Sequence, residues 1–207
     1  MLEVKKDWLY HNDNKVQKVD CSVSKTTEGE NICDFIIFHY TASTTAKSAH
    51  NNFQKPDVNT SWHITIDRDG NLYQLYDFRK ITWHAGKSFW KRSNGKEYHN
   101  LNRWSIGIEL VNAGPLSYEN AIYKTWYGQA VPFEHIYFDA NGNPWQSYTQ
   151  AQLQAATSVS LTLAKQYKCV DILTHEMISP GRKRDTGPAF LNTYNFIRKT
   201  HLTRRQF

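Results

Sequence analysis

The chain has 207 residues, a formal net charge of +6, and a composition in which 40% of the residues are hydrophobic and 21% are charged. This length is typical of one domain with a full hydrophobic core, and the composition excludes an intrinsically disordered chain. No apolar run reaches the ~18 to 20 residues that a membrane-spanning helix needs. The positive charge favours an anionic partner, such as nucleic acid, a bacterial envelope polymer or an acidic membrane, without choosing among them.

The amino terminus and the cysteines bear on where the chain is made. The amino terminus lacks the apolar core and the small-residue cleavage site of a secretory signal, so we expect synthesis in the cytoplasm without an evident leader. Cys21, Cys33 and Cys169 are too few, and odd in number, for a disulfide framework. Cys33 and Cys169 lie in apolar runs and are predicted to be buried thiols.

Residues 1–30 are polar and rich in turn-forming residues, which predicts an N-terminal extension that packs on the domain and contains one short strand. The apolar run 35–39 ends in a histidine and predicts a central strand buried on both faces. A short helix is predicted over 41–52. A β-hairpin follows, in which the alternating segment 61–66 and the segment 72–76 flank an Asp-Gly-Asn turn.

The next predicted strand, residues 105–111, carries a carboxylate, Glu109, on one of its two faces. Gly107 lies on the same face, and its missing side chain either makes room for a ligand or marks a bend in the strand. Residues 112–148 are rich in aromatics, glycine and proline without a clear period. They predict an insertion with a short hairpin around the Asn-Gly pair at 141–142.

The last third of the chain predicts two helices with a buried strand between them. A capping box at 149–152 begins a long helix, and the apolar run 169–173 is typical of a buried strand. A final amphipathic helix starts at Pro188 and leads into a basic tail, residues 201–207. The main domain is therefore predicted to span residues 31–200.

Two predicted strands lead to histidines, His39 and His175, and Asp185 lies ten residues beyond the second. Two imidazoles and one carboxylate are a common ligand set for catalytic zinc, with the fourth position left to water. The metalloprotease motif His-Glu-x-x-His fails here because position 179 is a serine, Ser179. From spacing alone, histidines hydrogen-bonded in a core remain the alternative to a metal site.

Five motifs occur in a fixed order along the chain. They are Phe-His-Tyr-Thr-Ala at 38–42, Ser-Trp-His-Ile at 61–64 with Asp-Arg-Asp-Gly at 67–70, Trp-His-Ala-Gly at 83–86, Ser-Ile-Gly-Ile-Glu at 105–109, and the segment 175–188. Together they resemble the type 2 N-acetylmuramoyl-L-alanine amidases, a family of bacterial muropeptide amidases, phage lysozyme-type amidases and animal peptidoglycan recognition proteins. The resemblance covers about residues 33–197 and implies an α/β domain with a central mixed β-sheet flanked by α-helices.

Carried over by motif, the resemblance implies one zinc ion per chain, bound by His39, His175 and Asp185 at one end of the strands. Glu109 matches the carboxylate that the muropeptide-amidase branch uses as general base. Lys183, two residues before the last ligand, matches the lysine that steadies the oxyanion. Zinc would then lower the pKa of its water toward ~7, which makes hydroxide available at neutral pH.

Two further residues are expected to contact the substrate. His84 resembles a residue that lines the substrate groove, and Trp62 stands where the phage and animal branches carry a catalytic tyrosine. The presence of Glu109 together with Trp62 places the chain with the Glu/Lys muropeptide-amidase branch. His63 is then expected to be a packed or hydrogen-bonded sheet residue rather than a ligand, and Tyr40 to be structural.

The loop 87–103 and the insertion 112–148 flank Glu109 in sequence. They are predicted either to form the rim of the groove, with aromatic residues stacking on sugar, or to be ordinary solvated loops. The candidate stacking residues are Trp90, Trp104 and Trp126.

The resemblance implies a bacteriolytic type of hydrolase that acts on a non-peptide C–N bond: an amidase that cleaves between N-acetylmuramic acid and the L-alanine of peptidoglycan or muropeptides. The alternative is a non-catalytic peptidoglycan-binding module, although such members usually lose a metal ligand and this chain has all three. Nucleic acid is not an expected partner because no basic helix or aromatic sheet signature is present. We expect a monomer that acts on cell wall material, in cytoplasmic recycling or after delivery as an endolysin or a secreted effector.

Overall fold

The computed structural model describes residues 1–12, 14–21 and 24–204. The α-helices in these ranges are α1 Ala46–Phe53, α2 Gln150–Tyr167, α3 His175–Ile178 and α4 Leu191–Arg204. The strands are β1 Leu2–Lys5, β2 Trp8–His11, β3 Asn14–Lys15, β4 Gln17–Lys18, β5 Thr26–Thr27, β6 Phe35–Tyr40, β7 Ile64–Ile66, β8 Leu72–Gln74, β9 Ile81–Thr82, β10 Phe89–Lys91, β11 Glu97–His99, β12 Ser105–Leu110, β13 Ser117–Glu119, β14 Ile122–Lys124, β15 Ile136–Phe138, β16 Pro144–Gln146 and β17 Asp171–Thr174.

The main sheet has six strands in the order β17-β6-β12-β7-β8-β4. Strands β17, β6, β12 and β7 run parallel, whereas β8 is antiparallel to β7 and the edge strand β4 is parallel to β8. Parallel strands need crossover connections, and here α1 lies between β6 and β7 in the chain while α2 precedes β17. The mixed sheet flanked by helices confirms the predicted α/β fold.

Strand β6 is buried on both faces, as its apolar sequence predicts. Ile36 and Phe38 join the larger core cluster, which includes residues of α2 and α4. Phe35 and Ile37 join a smaller cluster on the other face of the sheet. Burial of each such side chain stabilises the fold by roughly 1.5–3 kcal/mol, so β6 holds its carboxyl end, and His39 with it, in a fixed position.

Helix α2 begins at the predicted capping box, in which Thr149 Oγ1 accepts the Gln152 N–H at 3.1 Å and Gln152 Oε1 accepts the Thr149 N–H at 3.2 Å. Helix α1 starts later than predicted. Its N-cap is Thr45, whose hydroxyl accepts the Ser48 N–H at 3.0 Å, and residues 41–45 form a loop. Serine and threonine before that point bond locally to the backbone, which competes with a helix.

The N-terminal extension contains more structure than the single strand predicted from sequence. Strands β1–β3 form a separate antiparallel sheet, β4 adds an edge to the main sheet, and β5 pairs with β9. The prediction was wrong because these strands are only two to four residues long and have no clear alternation. Lys25 also anchors the extension, since its buried Nζ donates to the carbonyls of Phe53, Lys55 and Val58 at 2.5–2.7 Å.

Residues 112–148 contain two hairpins, β13–β14 and β15–β16, and the second turns at the predicted Asn-Gly pair.

The predicted basic tail is partly wrong, because residues 201–204 are the last turn of α4 and His201 is buried. Residues 205–207 of that tail lie outside the described residues.

Cys33 and Cys169 are buried free thiols, as predicted. Of the helices described, none has the length and hydropathy of a bilayer-crossing segment.

Candidate metal centre

Parallel strands bring the candidate residues to one edge of the main sheet. His39 lies in β6, and its register partner in β12 is Glu109. Strand β17 pairs with β6 as far as Thr174 and Phe38, and His175 follows directly as the first residue of α3. Because all three strands point the same way, their carboxyl ends place these side chains next to one another.

The loop after α3 adds Asp185 to the two histidines. The Nδ1 atoms of His39 and His175 are 2.9 Å apart, and Asp185 Oδ2 lies 3.0 Å from the first and 2.8 Å from the second. All three residues are buried, with 2%, 4% and 8% of their surface exposed. Within the described part of the chain, this is the one group of three such residues whose donor atoms are close enough to share a metal ion.

Hydrogen bonds behind the two histidines decide which ring nitrogen carries the proton. His175 Nε2 lies 3.2 Å from the Ala85 carbonyl, which can only accept, so its Nδ1 presents a lone pair to the centre. Ser105 Oγ donates to a backbone carbonyl and therefore accepts from His84 Nε2 at 3.2 Å. His84 Nδ1 then accepts from His39 Nε2 at 3.0 Å, which leaves the Nδ1 lone pair of His39 facing the same point.

This arrangement fits a metal ion better than it fits a hydrogen-bonded core. Two imidazole lone pairs and a carboxylate oxygen meet within 3.0 Å of one another, and the two tautomers leave no proton between the imidazoles. Backbone or side-chain groups that orient the outer nitrogen of a histidine are typical of metal ligands. Nitrogen and carboxylate donors suit zinc among the common biological metals.

Electrostatics keep these donors in the forms that a metal requires. Burial lowers the pKa of His39 to about 4, and the neighbouring His175 contributes to the shift. Burial also lowers the pKa of His84 well below its usual range. For Asp185, burial raises the pKa, but the influence of the adjacent His175 and His39 side chains outweighs it and holds the pKa below its usual range. At neutral pH His39 and His84 are therefore neutral and the carboxylate is ionised.

Glu109 is the carboxyl group nearest to this centre in the sheet. Its Oε2 is inaccessible to solvent and has no hydrogen-bond partner among the described residues. Burial raises the pKa of Glu109 well above its usual range, the charge of Asp185 raises it further, and the charge of Lys183 lowers it. A buried polar atom without a partner is rare in folded proteins, and Oε2 is therefore a candidate for contact with a bound ligand.

Two basic residues of the loop between α3 and Asp185 behave differently. Lys183 is exposed, and its charge acts on both Glu109 and His39. Arg182 is a structural clamp that the sequence pattern did not reveal, because it stands in a run of three cations. Its Nη2 donates to Ser179 Oγ at 2.7 Å and to the Lys87 carbonyl at 2.8 Å.

The structure places the two predicted substrate contacts inside the protein. Trp62 is only 6% exposed; its ring packs on Phe53, and its Nε1 donates to Thr65 Oγ1 at 2.7 Å. This burial contradicts the prediction that Trp62 contacts substrate. His84 is 7% exposed and lies behind His39 rather than on the surface of a groove. The His-Ala-Gly motif therefore supplies the partner of a histidine in the centre.

Two neighbouring residues complete the surroundings of the centre. His63 is fully buried and hydrogen-bonded, as predicted: Nδ1 accepts the Gly107 N–H at 3.0 Å, and Nε2 donates to the Lys80 carbonyl at 3.0 Å. Tyr148, which follows the second hairpin, donates its hydroxyl to the Thr186 carbonyl at 2.8 Å and so braces the residue after Asp185. No sequence signal distinguishes Tyr148, because the contact joins segments that are 38 residues apart.

Comparison with known proteins gives one family and several relatives. The family model for N-acetylmuramoyl-L-alanine amidase (Amidase_2) matches residues 28–188. The 1,6-anhydro-N-acetylmuramyl-L-alanine amidase AmpD of Salmonella typhimurium is 33% identical over 135 residues, which are 64% of this chain and 54% of that protein. The N-acetylmuramoyl-L-alanine amidase AmiD of Escherichia coli is 27% identical over 165 residues, which are 75% of this chain and 49% of that protein. The chain thus spans about half the length of these curated relatives.

Solved structures share the fold. A crystal structure of a selenomethionine derivative of AmpD superposes with a TM-score of 0.59 at 22% identity, covering 95% of this chain and 99% of that chain. AmiD from E. coli, in complex with the substrate anhydro-N-acetylmuramic acid-L-Ala-D-gamma-Glu-L-Lys, superposes with a TM-score of 0.57 at 22% identity. That comparison covers 91% of this chain and 62% of AmiD.

Proposed function

The chain belongs to the N-acetylmuramoyl-L-alanine amidase family, and we propose that it is a zinc-dependent amidase that cleaves between N-acetylmuramic acid and L-alanine. The observation that supports this most directly is the convergence of two imidazole lone pairs and one carboxylate beside an unpartnered glutamate. The relatives AmpD and AmiD are amidases of this type by name. A recognition module without catalysis would not need that glutamate.

We assign one zinc ion per chain to His39, His175 and Asp185. When bound, zinc supplies a Lewis acid and lowers the pKa of a water toward ~7. The chain's own contribution is to hold the three donor atoms in place: β6 and β17 position the histidines, and Tyr148 braces the residue after Asp185. His84 keeps the proton of His39 on its outer nitrogen.

Glu109 is the proposed general base. Burial raises the pKa of its carboxyl, which makes the carboxylate a stronger base toward the proton of the attacking water. The same oxygen would then deliver that proton to the leaving amine of L-alanine. Its unpartnered Oε2 is free to make these contacts, whereas a carboxylate already bound to the protein would have to break a hydrogen bond first.

Lys183 is the proposed oxyanion stabiliser. It is exposed two residues before Asp185, and its charge reaches the groups of the centre. A positively charged donor aimed at the developing oxyanion can lower the barrier by roughly 3–4 kcal/mol. Since the substrate would cover this exposed side chain, its effect would grow as water is excluded from the site.

The proposed substrates are peptidoglycan and the muropeptides derived from it. AmpD carries the anhydro-muropeptide amide in its name, and AmiD was solved with an anhydro-muropeptide. Soluble fragments and intact polymer therefore both belong in the test. The corresponding roles are recycling of wall fragments in the cytoplasm, or attack on the wall after delivery as an endolysin or effector.

The test is mass analysis of muropeptides after incubation with zinc-loaded protein. We expect release of the intact stem peptide, and its release should be lost in Glu109→Gln, a variant that keeps the shape of the side chain. Unchanged muropeptides with the zinc-loaded wild type would contradict the amidase assignment. Retained binding of muropeptides in that case would favour the recognition module.

A further inference from the structure

The turn that follows the first hairpin of the insertion, residues 125–129, contacts the loop that follows the first histidine of the centre. Trp126 Nε1 donates to the Ala42 carbonyl at 3.0 Å, and Thr44 Oγ1 donates to Gln129 Oε1 at 3.1 Å. Ala42 is three residues after His39, so their Cα atoms can be no more than about 10–11 Å apart. The turn 125–129 is therefore joined to the loop that leaves the proposed active site.

Trp126 is unusual because it is both exposed and held in place. It is 72% exposed, yet its indole nitrogen is bonded to Ala42 and its ring meets the ring of Tyr127 edge to face at 5.0 Å and 88°. The turn that carries it is closed by bonds from Gly128 N to the Thr125 carbonyl and from Gln129 N to Thr125 Oγ1. An immobilised, open aromatic face is a surface suited to binding.

Beside these rings lies a cavity of about 450 Å³ between Tyr127 and helix α1. This volume falls in the range of sites for small organic ligands. Its walls carry hydroxyl and amide side chains and two cations. The residues that matter here are Ser48, Asn51, Asn52, Lys47 and Lys55.

We propose that Trp126, Tyr127 and this cavity bind sugar residues of the glycan chain next to the muramic acid that carries the scissile amide. The flat face of an N-acetylated sugar matches the exposed indole, and its hydroxyl and acetamido groups match the serine and asparagine side chains. The two lysines complement lactyl carboxylates, which amide hydrolysis leaves on the glycan. This inference rests on the proposed amidase function and narrows its substrate to glycan-linked muropeptides.

A flexible stem peptide is the other ligand that could reach this surface. Its carboxylates would account for the lysines, but they offer nothing for the exposed face of Trp126. A sugar accounts for both features. The free stem peptide is therefore a comparison ligand in the test.

The test compares kcat/KM for a muropeptide with several linked disaccharides and for one with a single sugar. In Trp126→Ala we expect the ratio of the two values to fall on the order of tenfold, as expected for loss of about one aromatic contact. Trp126→Phe keeps an aromatic ring and should restore part of the ratio. The matched control is Phe133→Ala, which removes another exposed aromatic of the insertion (68% exposed) and should leave the ratio unchanged.

Calorimetry with the tetramer of N-acetylglucosamine tests the site without any cleavage. Binding that is present in the wild type and lost in Trp126→Ala supports the sugar site even if the amidase function fails. Activity with an unchanged substrate ratio in Trp126→Ala overturns the inference while the amidase assignment stands. Trp126-dependent binding of the free stem peptide, without binding of the sugar tetramer, also overturns it.

Discussion

Gly107→Ala tests whether His84 controls the metal affinity of the centre. A Cβ at Gly107 would lie 2.6 Å from His84 Cγ and 2.8 Å from its Nδ1. The ring would have to move by about 0.8 Å to reach 3.4 Å, the lower limit of ordinary contact. That movement would disturb the 3.0 Å bond from His39 Nε2 to His84 Nδ1.

The expected effects differ between stability and zinc affinity. Crowding of this kind costs about 1–3 kcal/mol of the free energy of unfolding. Loss of an orienting partner behind a ligand lowers metal affinity by about 10- to 100-fold. The assays are urea unfolding of the zinc-free protein and competition for zinc with a chelator of known affinity.

The control is Gly128→Ala, where a Cβ meets no atom within 4 Å but the backbone has a φ of +86°. It should cost about 1–3 kcal/mol of stability through backbone strain without reducing zinc affinity. If Gly107→Ala bound zinc as tightly as the wild type despite the crowding, the idea that His84 positions His39 would be refuted.

Three further predictions concern the base, the metal and pH. Glu109→Gln should lower kcat by about 10²- to 10⁴-fold while the zinc affinity measured by calorimetry changes little. If kcat and zinc affinity fell by the same factor, Glu109 would be a metal ligand instead of the base. Zinc at 100 times its Kd should stabilise the wild type by about 2.7 kcal/mol in a thermal melt, and Asp185→Ala should remove this gain. A wild-type Tm that does not change when zinc is added would argue against the site. Burial lowers the pKa of His63 to about 4. The contribution of neutral His63 to the free energy of unfolding is therefore complete above pH 6.5 and is lost as the pH falls toward 4, a total change of about 3 kcal/mol. Urea unfolding across that pH range should therefore show a smaller pH dependence in His63→Gln, and an unchanged slope would contradict the assignment.

The features that sequence could predict are those with local causes. The run around Phe35 predicts a buried strand because its apolar side chains are continuous, and Thr149 with Gln152 predicts a helix start through its own hydrogen bonds. Histidines that follow two buried strands meet because parallel strands align their carboxyl ends. The resemblance then implies that His39 and His175 share one metal ion with Asp185.

The features that sequence missed depend on contacts between distant segments. The pairing of β4 with β8 joins residues 56 positions apart, such as Gln17 and Tyr73, and the two residues of β4 are too few to show a periodic pattern. Trp62 is expected to contact substrate because it stands where other branches of the family carry a catalytic tyrosine, but its indole turns inward to Thr65. The role of His84 depends on a chain of bonds through Ser105 and His39 that only the folded molecule brings together.

The ammonium of Lys25 has a practical consequence for anyone who shortens this protein. Similarity to the family begins at residue 28, so a fragment cut at that boundary would omit the lysine. The carbonyl of Phe53 at the end of α1, and those of Lys55 and Val58 just after it, would then lose the cation that they surround. The same helix forms one wall of the cavity beside Trp126. Trimming to the segment that matches the family would therefore loosen a surface that depends on a residue outside that segment.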